Sequence, residues 1–388
     1  MIELQKTLDI LHKDQLVKKL ELAGYAFAAW RMPNTSQTQF IVSLDTADKI
    51  DTVELSALGS GFLVNEFEDN HPIRPYFIAA DIIIRDDELL IDPKVTSSAI
   101  DKFKEAMEST FDKEEAHAIS SVGDFQSNFN DAVSEAVHQI KSGTFEKIVL
   151  SRFKEEEIPG NFSSWDFFQD ISETYANAFV SITFVPSKGL WIGATPELLL
   201  SNNSNRFKTV SLAGTKTLDG GQNLSEIAWT QKEIEEQAFV SRYIINCFKK
   251  IRLREFHEHG PKTIQAGSLA HLKTEFVVNY DELAFENLAD QMLELLHPTS
   301  AVCGMPIENT KPWIREKEHY DRGFYAGFLG PVNFGNSTDL FVNLRCMKVE
   351  NNAIRFFAGA GITEDSIPQK EFEETEMKID VLKSHLKQ

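Results

Sequence analysis

The order of the predicted helices and strands is the feature that most limits the folds open to this chain. Strands are predicted mostly in adjacent pairs between helices; for example, Ala178–Phe184 and Leu190–Ile192 follow the helix Ser164–Tyr175. A doubly wound parallel sheet instead needs single strands that alternate with single helices. The sequence therefore predicts an α+β fold whose antiparallel sheets are flanked by helices.

Apolar periodicity gives approximate bounds for the other elements. Helices are predicted at Ile2–Leu22, Ser98–Phe111, Phe125–Ile140, Leu224–Arg252 and Lys370–Leu386. Strands are predicted at Tyr25–Met32, Phe40–Leu44, Tyr76–Ile84, Phe145–Ser151, Gly327–Val332, Leu340–Val349 and Ala353–Ala358, and near Phe276. No long linker rich in Pro, Gly or Ser interrupts the 388 residues, so we expect a single domain over 1–388. Its N-terminal part (1–120) carries fewer signals than the motif-bearing part (121–388).

The chain is strongly acidic, with 39 Lys and Arg residues, 59 Asp and Glu residues and a formal net charge of −20. Such a surface repels nucleic acids and anionic membranes, so we expect neither as a partner. A small anionic ligand would need a local cationic pocket or a bridging metal.

Three features favour a cytoplasmic protein. No stretch approaches the roughly 18 apolar residues of a membrane-spanning helix. The first residues alternate between charged and apolar types, which is unlike a secretory signal peptide. Cys247, Cys303 and Cys346 are too few for a disulfide framework and share no CxxC spacing, so we expect buried free thiols.

Two acidic pairs have the same spacing on two predicted helices. Glu233 and Glu236 are three residues apart, as are Glu371 and Glu374, so each pair projects from one helix face. Carboxylates from two facing helices are suitable ligands for Mg²⁺. The alternative is two solvated helix faces, because Asp and Glu make up 59 of the 388 residues.

Lys147 and Glu197 are candidates for acid–base chemistry. Lys147 lies in an apolar strand, where an inward orientation would lower its pKa toward neutrality. Glu197 follows a tight turn, and burial beside Leu198–Leu200 would raise its pKa. The alternatives are an outward-facing lysine on an edge strand and a glutamate in an exposed turn.

Three glycine-containing segments are predicted as loops: Leu212–Thr215, His297–Gly304 and Ala358–Gly361. Glycine allows backbone amides to approach an anion closely. Ala358–Gly361 lacks the complete GxGxxG pattern, which argues against a dinucleotide-binding fold. As isolated patterns, all three are also consistent with ordinary turns.

Taken together and in order, five stretches resemble the chorismate-utilising enzyme family, which includes anthranilate, aminodeoxychorismate, salicylate and isochorismate synthases. The stretches are FEKIVLSR (145–152), GATPELLL (193–200), LAGT (212–215), LHPTSAVCG (296–304) with DRGFYAG (321–327), and AGAGITEDSIPQKEFEETEMK (358–378). The resemblance covers about two thirds of the chain, from Phe125 to Lys378. It implies one α+β domain built on large antiparallel sheets.

The resemblance also implies a set of site residues. Mg²⁺ would be held by Glu236 and Glu374, while Glu233 and Glu371 would orient bound water. Lys147 would be the catalytic base and Glu197 the acid. Substrate contacts are implied at Gly214, Thr215, His271, Ala301, Arg345, Gly361 and Lys378.

Three positions discriminate within the family. Lys147 resembles the isochorismate and salicylate synthases, where the lysine activates water. Ala213 stands where aminodeoxychorismate synthases carry a nucleophilic lysine, and Ala301 resembles isochorismate synthases, whereas salicylate synthases tend to have threonine there. The resemblance thus implies an isochorismate synthase, an isomerase that reversibly converts chorismate to isochorismate with Mg²⁺. A salicylate synthase and a catalytically silent anion-binding relative remain as alternatives.

This sequence departs from the family pattern around the acidic helix. Gln237 stands where histidine usually follows the glutamate, Ser211 replaces a proline, and Lys216-Thr217 replace a more arginine-rich continuation. None of these changes removes a group implied in the chemistry. We expect a monomer, and the sequence leaves open whether isochorismate would serve menaquinone or siderophore biosynthesis.

Overall fold

The computed structural model describes residues 12–68, 72–85, 88–109, 125–218, 223–266, 269–281, 285, 287–350 and 352–386. Eight α-helices and eighteen β-strands lie within these residues. The helices are α1 (Lys13–Ala23), α2 (Ser97–Glu108), α3 (Phe125–Lys141), α4 (Ser164–Thr174), α5 (Gln231–Lys250), α6 (Leu288–Leu296), α7 (Ile307–Glu318) and α8 (Pro368–Lys383). The strands are β1 (Phe27–Arg31), β2 (Thr38–Val42), β3 (Gly61–Asn65), β4 (Tyr76–Ala79), β5 (Ile82–Arg85), β6 (Glu88–Ile91), β7 (Lys147–Glu157), β8 (Phe179–Val185), β9 (Gly189–Thr195), β10 (Leu198–Asn203), β11 (Arg206–Thr217), β12 (His257–Ala266), β13 (Leu269–Asn279), β14 (Gly304–Met305), β15 (Phe328–Val332), β16 (Ser337–Val342), β17 (Cys346–Val349) and β18 (Ala353–Ile362).

The strands form two antiparallel sheets. Ten strands pair in the order β14-β7-β18-β17-β9-β8-β1-β2-β5-β6, and eight pair in the order β12-β13-β11-β10-β16-β15-β3-β4. The early strands contribute to both sheets: β1 pairs with β8 in the first, and β3 pairs with β15 in the second. The predicted α+β fold with antiparallel sheets and flanking helices is therefore confirmed.

The central strands of the ten-stranded sheet, β1 and β8, are buried on both faces. Because side chains alternate along a strand, Ala28 and Trp30 of β1 join the cluster shared with the eight-stranded sheet, whereas Phe27 belongs to a second cluster with α1, α2 and α4. The rings of Phe179 and Phe341 stack between the sheets with centroids 4.1 Å apart. Helix α5 packs on β11 and β13 of the eight-stranded sheet. The result is a layered arrangement in which helices cover two packed sheets.

Two predicted strands are wrong as single elements. Tyr76–Ile84 divides into β4 and β5, and these belong to different sheets. Leu340–Val349 likewise divides into β16 and β17, and Arg345, just before β17, has a left-handed φ of 46°. Both segments are mostly apolar, and polar residues interrupt them where the chain crosses from one sheet to the other, at Asp81 in the first and at Asn343 and Arg345 in the second. The elements that were not predicted include strands β3, β6, β11, β12 and β14 and helices α6 and α7.

Two predicted helices differ at their starts. The helix predicted at Leu224–Arg252 begins only at Gln231, because Thr230 and Glu233 form a capping box there. A short 3₁₀ turn occupies Leu224–Glu226 instead. Of the helix predicted at Ile2–Leu22, the structure contains α1, and residues 2–11 lie outside the described residues.

Two of the three predicted glycine loops are in fact strand segments. Leu212–Thr215 lies in β11, where a bulge accommodates Gly214 at a φ of 70°. Ala358–Gly361 lies in β18, which pairs with β7 from Ala353 to Ile362. The third, His297–Gly304, connects α6 to β14. These pairings place both glycine segments against the strands and helices that line a central cleft.

The three cysteines are buried free thiols, as predicted. Within the described ranges, no helix is both long enough and apolar enough to cross a membrane.

Candidate active site

A cleft of about 830 Å³ opens where β7, β18, β11, α5 and α8 come together. It contains every residue for which a catalytic, substrate-binding or direct metal-binding role was predicted. These residues are Lys147, Glu197, Gly214, Thr215, Glu236, His271, Ala301, Arg345, Gly361, Glu374 and Lys378. Glu233 and Glu371 do not line the cleft. The structure thus brings together residues that are up to 231 positions apart in the sequence, from Lys147 to Lys378.

Lys147 begins β7 and points into the cleft from an interior strand. Its neighbours are β14 on one side and β18 on the other, and only 3% of its surface is exposed. The alternative of an exposed edge-strand lysine is therefore wrong. A Cβ atom at Gly361 would lie 3.0 Å from Cε and 3.4 Å from Nζ of Lys147, so glycine makes room for this side chain. Burial lowers the pKa of Lys147, although the nearby carboxylates of Glu236 and Glu197 oppose the shift.

Glu197 occupies the turn between β9 and β10 and is 5% exposed. Its carbonyl oxygen accepts a hydrogen bond of 2.9 Å from the backbone N–H of Val342, which fixes the turn against β16. Burial raises the pKa of Glu197 to about 7, although Lys147 and Arg345 act in the opposite direction. The alternative of a solvent-exposed turn glutamate is therefore wrong.

Arg345 and His271 form a hydrogen-bonded chain at one side of the cleft. Nη2 of Arg345 lies 2.7 Å from Nε2 of His271, and Nδ1 of His271 lies 2.9 Å from the carbonyl oxygen of Gly214. Because a guanidinium only donates, Nε2 must accept, and the ring proton is therefore on Nδ1. Burial, reinforced by Arg345, lowers the pKa of His271 to about 3, so the ring stays neutral. The histidine thus orients a cation that points into the cleft.

The two acidic helices contribute one carboxylate each to the cleft. Glu236 projects from α5, where burial and then the neighbouring charge of Glu374 raise its pKa. Glu374 projects from α8 and accepts a 2.7 Å hydrogen bond from Nζ of Lys378. That lysine also donates to the carbonyl oxygen of Gly359 at 2.8 Å. Burial opposes the effect of Lys378, which nevertheless holds the pKa of Glu374 below its usual value.

The other members of the two pairs lie just outside the cleft. Oε1 of Glu371 accepts a hydrogen bond of 2.8 Å from Lys232, while its Oε2 is buried and has no hydrogen-bond partner among the described residues. Glu233 instead caps α5, since its Oε2 accepts a 2.7 Å hydrogen bond from the backbone N–H of Thr230. In the described part of the chain, no three His, Cys, Asp or Glu side chains converge as a group able to hold a metal.

Sequence reasoning did not single out Tyr325 and Phe357, which line the cleft with Val149 and Leu344. Tyr325 is 3% exposed, and its ring stacks on Phe357 with centroids 5.5 Å apart. Its hydroxyl oxygen would lie 2.9 Å from a Cβ atom at Gly359. Tyr325 belongs to the stretch DRGFYAG, so its motif was recognised although its position in the wall was not.

A buried ion pair behind the cleft was also missed. Arg322 and Glu318 have side chains that are 2% and 3% exposed, and Nε of Arg322 donates to Oε2 of Glu318 at 2.7 Å. Arg322 also donates to the carbonyl oxygens of Val149 and Val302, each at 2.9 Å. One side chain therefore ties the strand that carries Lys147 to the segment that carries Ala301.

The fold and the cleft together define an α+β protein of two antiparallel sheets whose central cleft combines carboxylates with buried cations. Residues 66–387 match the model of the family described as chorismate binding enzyme. The chain therefore belongs to this family.

Relatives with known names support the same relationship. The vibriobactin-specific isochorismate synthase of Vibrio cholerae is 28% identical over 258 residues, which cover 65% of this chain and 64% of that protein. The isochorismate synthase EntC of Escherichia coli is 30% identical over 268 residues, which cover 66% of each chain. The matched region thus spans slightly less than two thirds of the length of these relatives.

Solved structures extend the likeness of the fold over nearly the whole chain. The menaquinone-specific isochorismate synthase MenF from Escherichia coli has a TM-score of 0.76 at 19% identity, with 94% of this chain and 89% of that chain covered. A putative 2,3-dihydroxybenzoate-specific isochorismate synthase, DhbC, from Bacillus anthracis has a TM-score of 0.73 at 21% identity, with 96% and 99% covered.

Proposed function

We propose that this protein is an isochorismate synthase, which reversibly converts chorismate to isochorismate in the presence of Mg²⁺. One observation carries the proposal: a buried amine, Lys147, and a buried carboxyl, Glu197, line the same cleft. Burial shifts the pKa of each toward neutrality, from opposite sides. The names of the relatives favour this reaction among those of the family.

The reaction moves a hydroxyl group around a cyclohexadiene ring and needs two proton transfers. Water loses a proton as its oxygen bonds to the ring carbon beside the carboxylate-bearing carbon, the ring double bonds shift, and the original hydroxyl leaves. Lys147 in its neutral form accepts the proton of the attacking water. Glu197 in its protonated form donates a proton to the departing hydroxyl, which leaves as water. One water enters and one leaves, so the conversion is an isomerisation.

The cations of the cleft are suited to the carboxylates of the substrate. Arg345 presents a guanidinium that His271 orients, and Lys378 adds an ammonium to the same cleft. An Arg–carboxylate contact is strong because it is charge-assisted and can be bidentate. These groups would hold the enolpyruvyl carboxylate and fix the ring between Lys147 and Glu197.

The residues present fit a magnesium ion. Glu236 on α5 and Glu374 on α8 offer hard oxygen ligands to the same cleft. Oε2 of Glu371, which is buried and has no hydrogen-bond partner among the described residues, would be the oxygen that orients a bound water. Mg²⁺ commonly takes only one or two protein carboxylates and completes its shell with water and substrate oxygens. When bound, the ion would neutralise the ring carboxylate of the substrate and the surrounding acidic charge.

Product analysis tests the proposed reaction. The purified protein is incubated with chorismate and Mg²⁺, and the products are separated by chromatography. We expect isochorismate without pyruvate, whereas stoichiometric pyruvate would indicate a salicylate synthase. No conversion at all would indicate a catalytically silent relative and would overturn the proposal.

A variant at the base tests the mechanism. Lys147→Ala should abolish water addition while chorismate still binds in a Mg²⁺-dependent manner. Lys154→Ala is the matched control, because Lys154 lies on the same strand but pairs with Glu376 at 2.6 Å outside the cleft. Near-normal turnover by Lys147→Ala would refute its assignment as the base.

A further inference from the structure

A buried polar cluster lies between α5 and the eight-stranded sheet. Nε2 of Gln237 donates to Oγ of Ser211 at 2.7 Å and to Oγ1 of Thr274 at 3.0 Å. Oγ of Ser211 also lies 2.9 Å from Oγ of Ser241. Gln237, Ser211 and Thr274 are 3%, 0% and 1% exposed. A single amide group therefore joins α5 to two neighbouring strands, β11 and β13.

The chain positions of these residues connect the cluster to the cleft. Gln237 directly follows Glu236, and successive residues on a helix are about 100° apart, so one faces the sheet while the other faces the cleft. Ser211 directly precedes Leu212–Thr215, all of which line the cleft. Thr274 lies on β13, the strand that carries His271. Two members of the cluster are therefore direct neighbours in sequence of residues that line the cleft: Gln237 follows Glu236, and Ser211 precedes Leu212.

The contact also joins two of the three departures from the family pattern named above. Gln237 replaces the usual histidine and Ser211 replaces a proline, and each is the other's hydrogen-bond partner. A proline at 211 would offer no side-chain acceptor to the amide of Gln237. The two departures therefore suit each other and are expected to act as a pair.

We propose that Gln237, through Ser211 and Thr274, is a positioning residue that sets the placement of Glu236 relative to Glu374. This proposal rests on the proposed function, because it assigns the metal to these two carboxylates. The amide fixes the height and rotation of α5 on the sheet, and the side chain of Glu236 follows the helix. Loss of the amide lets α5 shift, so the two carboxylates no longer hold a spacing suited to one ion.

If Gln237 only stabilised the fold, its replacement would change the melting temperature without a separate effect on Mg²⁺ affinity. Oε1 of Gln237 is buried and lacks a hydrogen-bond partner among the described residues, so Gln237→Met also removes an unpaired polar atom. The variant can therefore keep its thermal stability. If the amide positions Glu236, Mg²⁺ affinity must fall whether or not the melting temperature changes.

The test compares Mg²⁺ binding in Gln237→Met, Ser211→Ala and the double variant by calorimetry without substrate, and by the Mg²⁺ dependence of turnover. We expect Gln237→Met to weaken Mg²⁺ binding roughly tenfold, as is typical of residues that support metal ligands. Ser211→Ala should weaken it less, because Thr274 still accepts from the amide. The double variant should bind Mg²⁺ at least as weakly as Gln237→Met, because it also loses the contact of Ser211 with Ser241 on α5.

Thr209→Val is the matched control. Thr209 is 1% exposed on β11, two residues before Ser211, and donates to the carbonyl oxygen of Leu199 at 2.6 Å. This variant should lower the melting temperature and leave the Mg²⁺ dissociation constant unchanged. The proposal is overturned if Gln237→Met binds Mg²⁺ like the wild type, or if Thr209→Val weakens binding equally. Should Gln237→Met not fold, the comparison of Ser211→Ala with Thr209→Val decides in the same way.

The wild-type protein distinguishes a failure of the proposed function from a failure of the positioning role alone. A wild-type protein that neither binds Mg²⁺ nor converts chorismate overturns the assignment of the metal site, and with it the basis of this proposal. A wild-type protein that binds Mg²⁺ and turns over chorismate, with variants indistinguishable from it, overturns the positioning role alone.

Discussion

Lys147 and Glu197 respond to the same burial in opposite directions, because burial disfavours the charged form of each group. The amine loses its proton more easily and the carboxyl holds its proton more strongly. Two groups of this kind are matched as base and acid near neutral pH. Desolvation therefore produces both pKa shifts, and the attraction between the two charged forms opposes them.

The raised pKa of Glu197 makes the free energy of unfolding depend on pH. Its pKa is about 7 in the folded protein and 4.5 when unperturbed, so between these values the folded state holds a proton that the unfolded state has lost. The stability contributed by this group is present below pH 4.5 and disappears as the pH rises through about 7.

We therefore expect Glu197→Gln to be more stable than the wild type at pH 8 by about 3 kcal/mol, since each pKa unit corresponds to about 1.4 kcal/mol. At pH 4 the two proteins should be similarly stable. Denaturant unfolding at both pH values measures the difference, and a gain that is the same at pH 4 and pH 8 would contradict the raised pKa. The same variant should lose turnover by at least about 100-fold, because an amide cannot donate the proton.

Helices α5 and α8 matter because each presents one carboxylate to the cleft. Glu374→Gln removes a charge but keeps the shape of the side chain, so the Mg²⁺ concentration for half-maximal turnover should rise roughly tenfold or more. Glu373→Gln is the control, since Glu373 is exposed on the same helix, does not line the cleft and accepts a hydrogen bond of 2.9 Å from Gln369. An unchanged Mg²⁺ titration for Glu374→Gln would count against its role as a ligand.

Strand β7 is held in place by Arg322, which follows α7 and pairs with Glu318 at the end of that helix. Arg322→Met would leave the carboxylate of Glu318 buried without its cation, so we expect the free energy of unfolding to fall by about 3–5 kcal/mol. Arg315 lies on α7, which also carries Glu318, and Arg315→Met removes its exposed ion pair with Glu68, so this variant should lose less than about 1 kcal/mol. Chemical denaturation compares the two, and equal losses would show that burial of the pair is unimportant.

For the whole molecule we expect a monomer, as the sequence suggested. The large apolar side chains with the highest exposure in the described ranges are Leu22, Leu90, Ile234, Ile367 and Met377, at 45–53%. They are distributed over α1, β6, α5 and α8 or its cap, with no more than two on any element. Light scattering over a range of concentrations should give the mass of one chain, and a constant mass of two chains would refute the expectation.

The sequence predicted the class of the fold and the lining of the cleft better than the paths of individual strands. Lys147 and Glu197 belong to short motifs, and their neighbours along the chain already indicate an apolar environment. The division of Tyr76–Ile84 and of Leu340–Val349 depends on pairing partners far away in the sequence. The contact of Gln237 with Ser211 likewise arises only when α5 packs on β11, although both residues were noted as departures.

The placement of the early strands has a consequence for residues 1–120, the part with the weakest motifs. Strand β1 pairs with β8, and β3 pairs with β15. A chain without residues 1–120 would therefore leave the backbone amides and carbonyls along one edge of β8 and one edge of β15 unpaired. Ladder bonds depend on the main chain, and many different side chains can satisfy them. The pairing therefore constrains the amino-acid types of this region only weakly, and versions of this protein shortened at the N-terminus should self-associate into insoluble material.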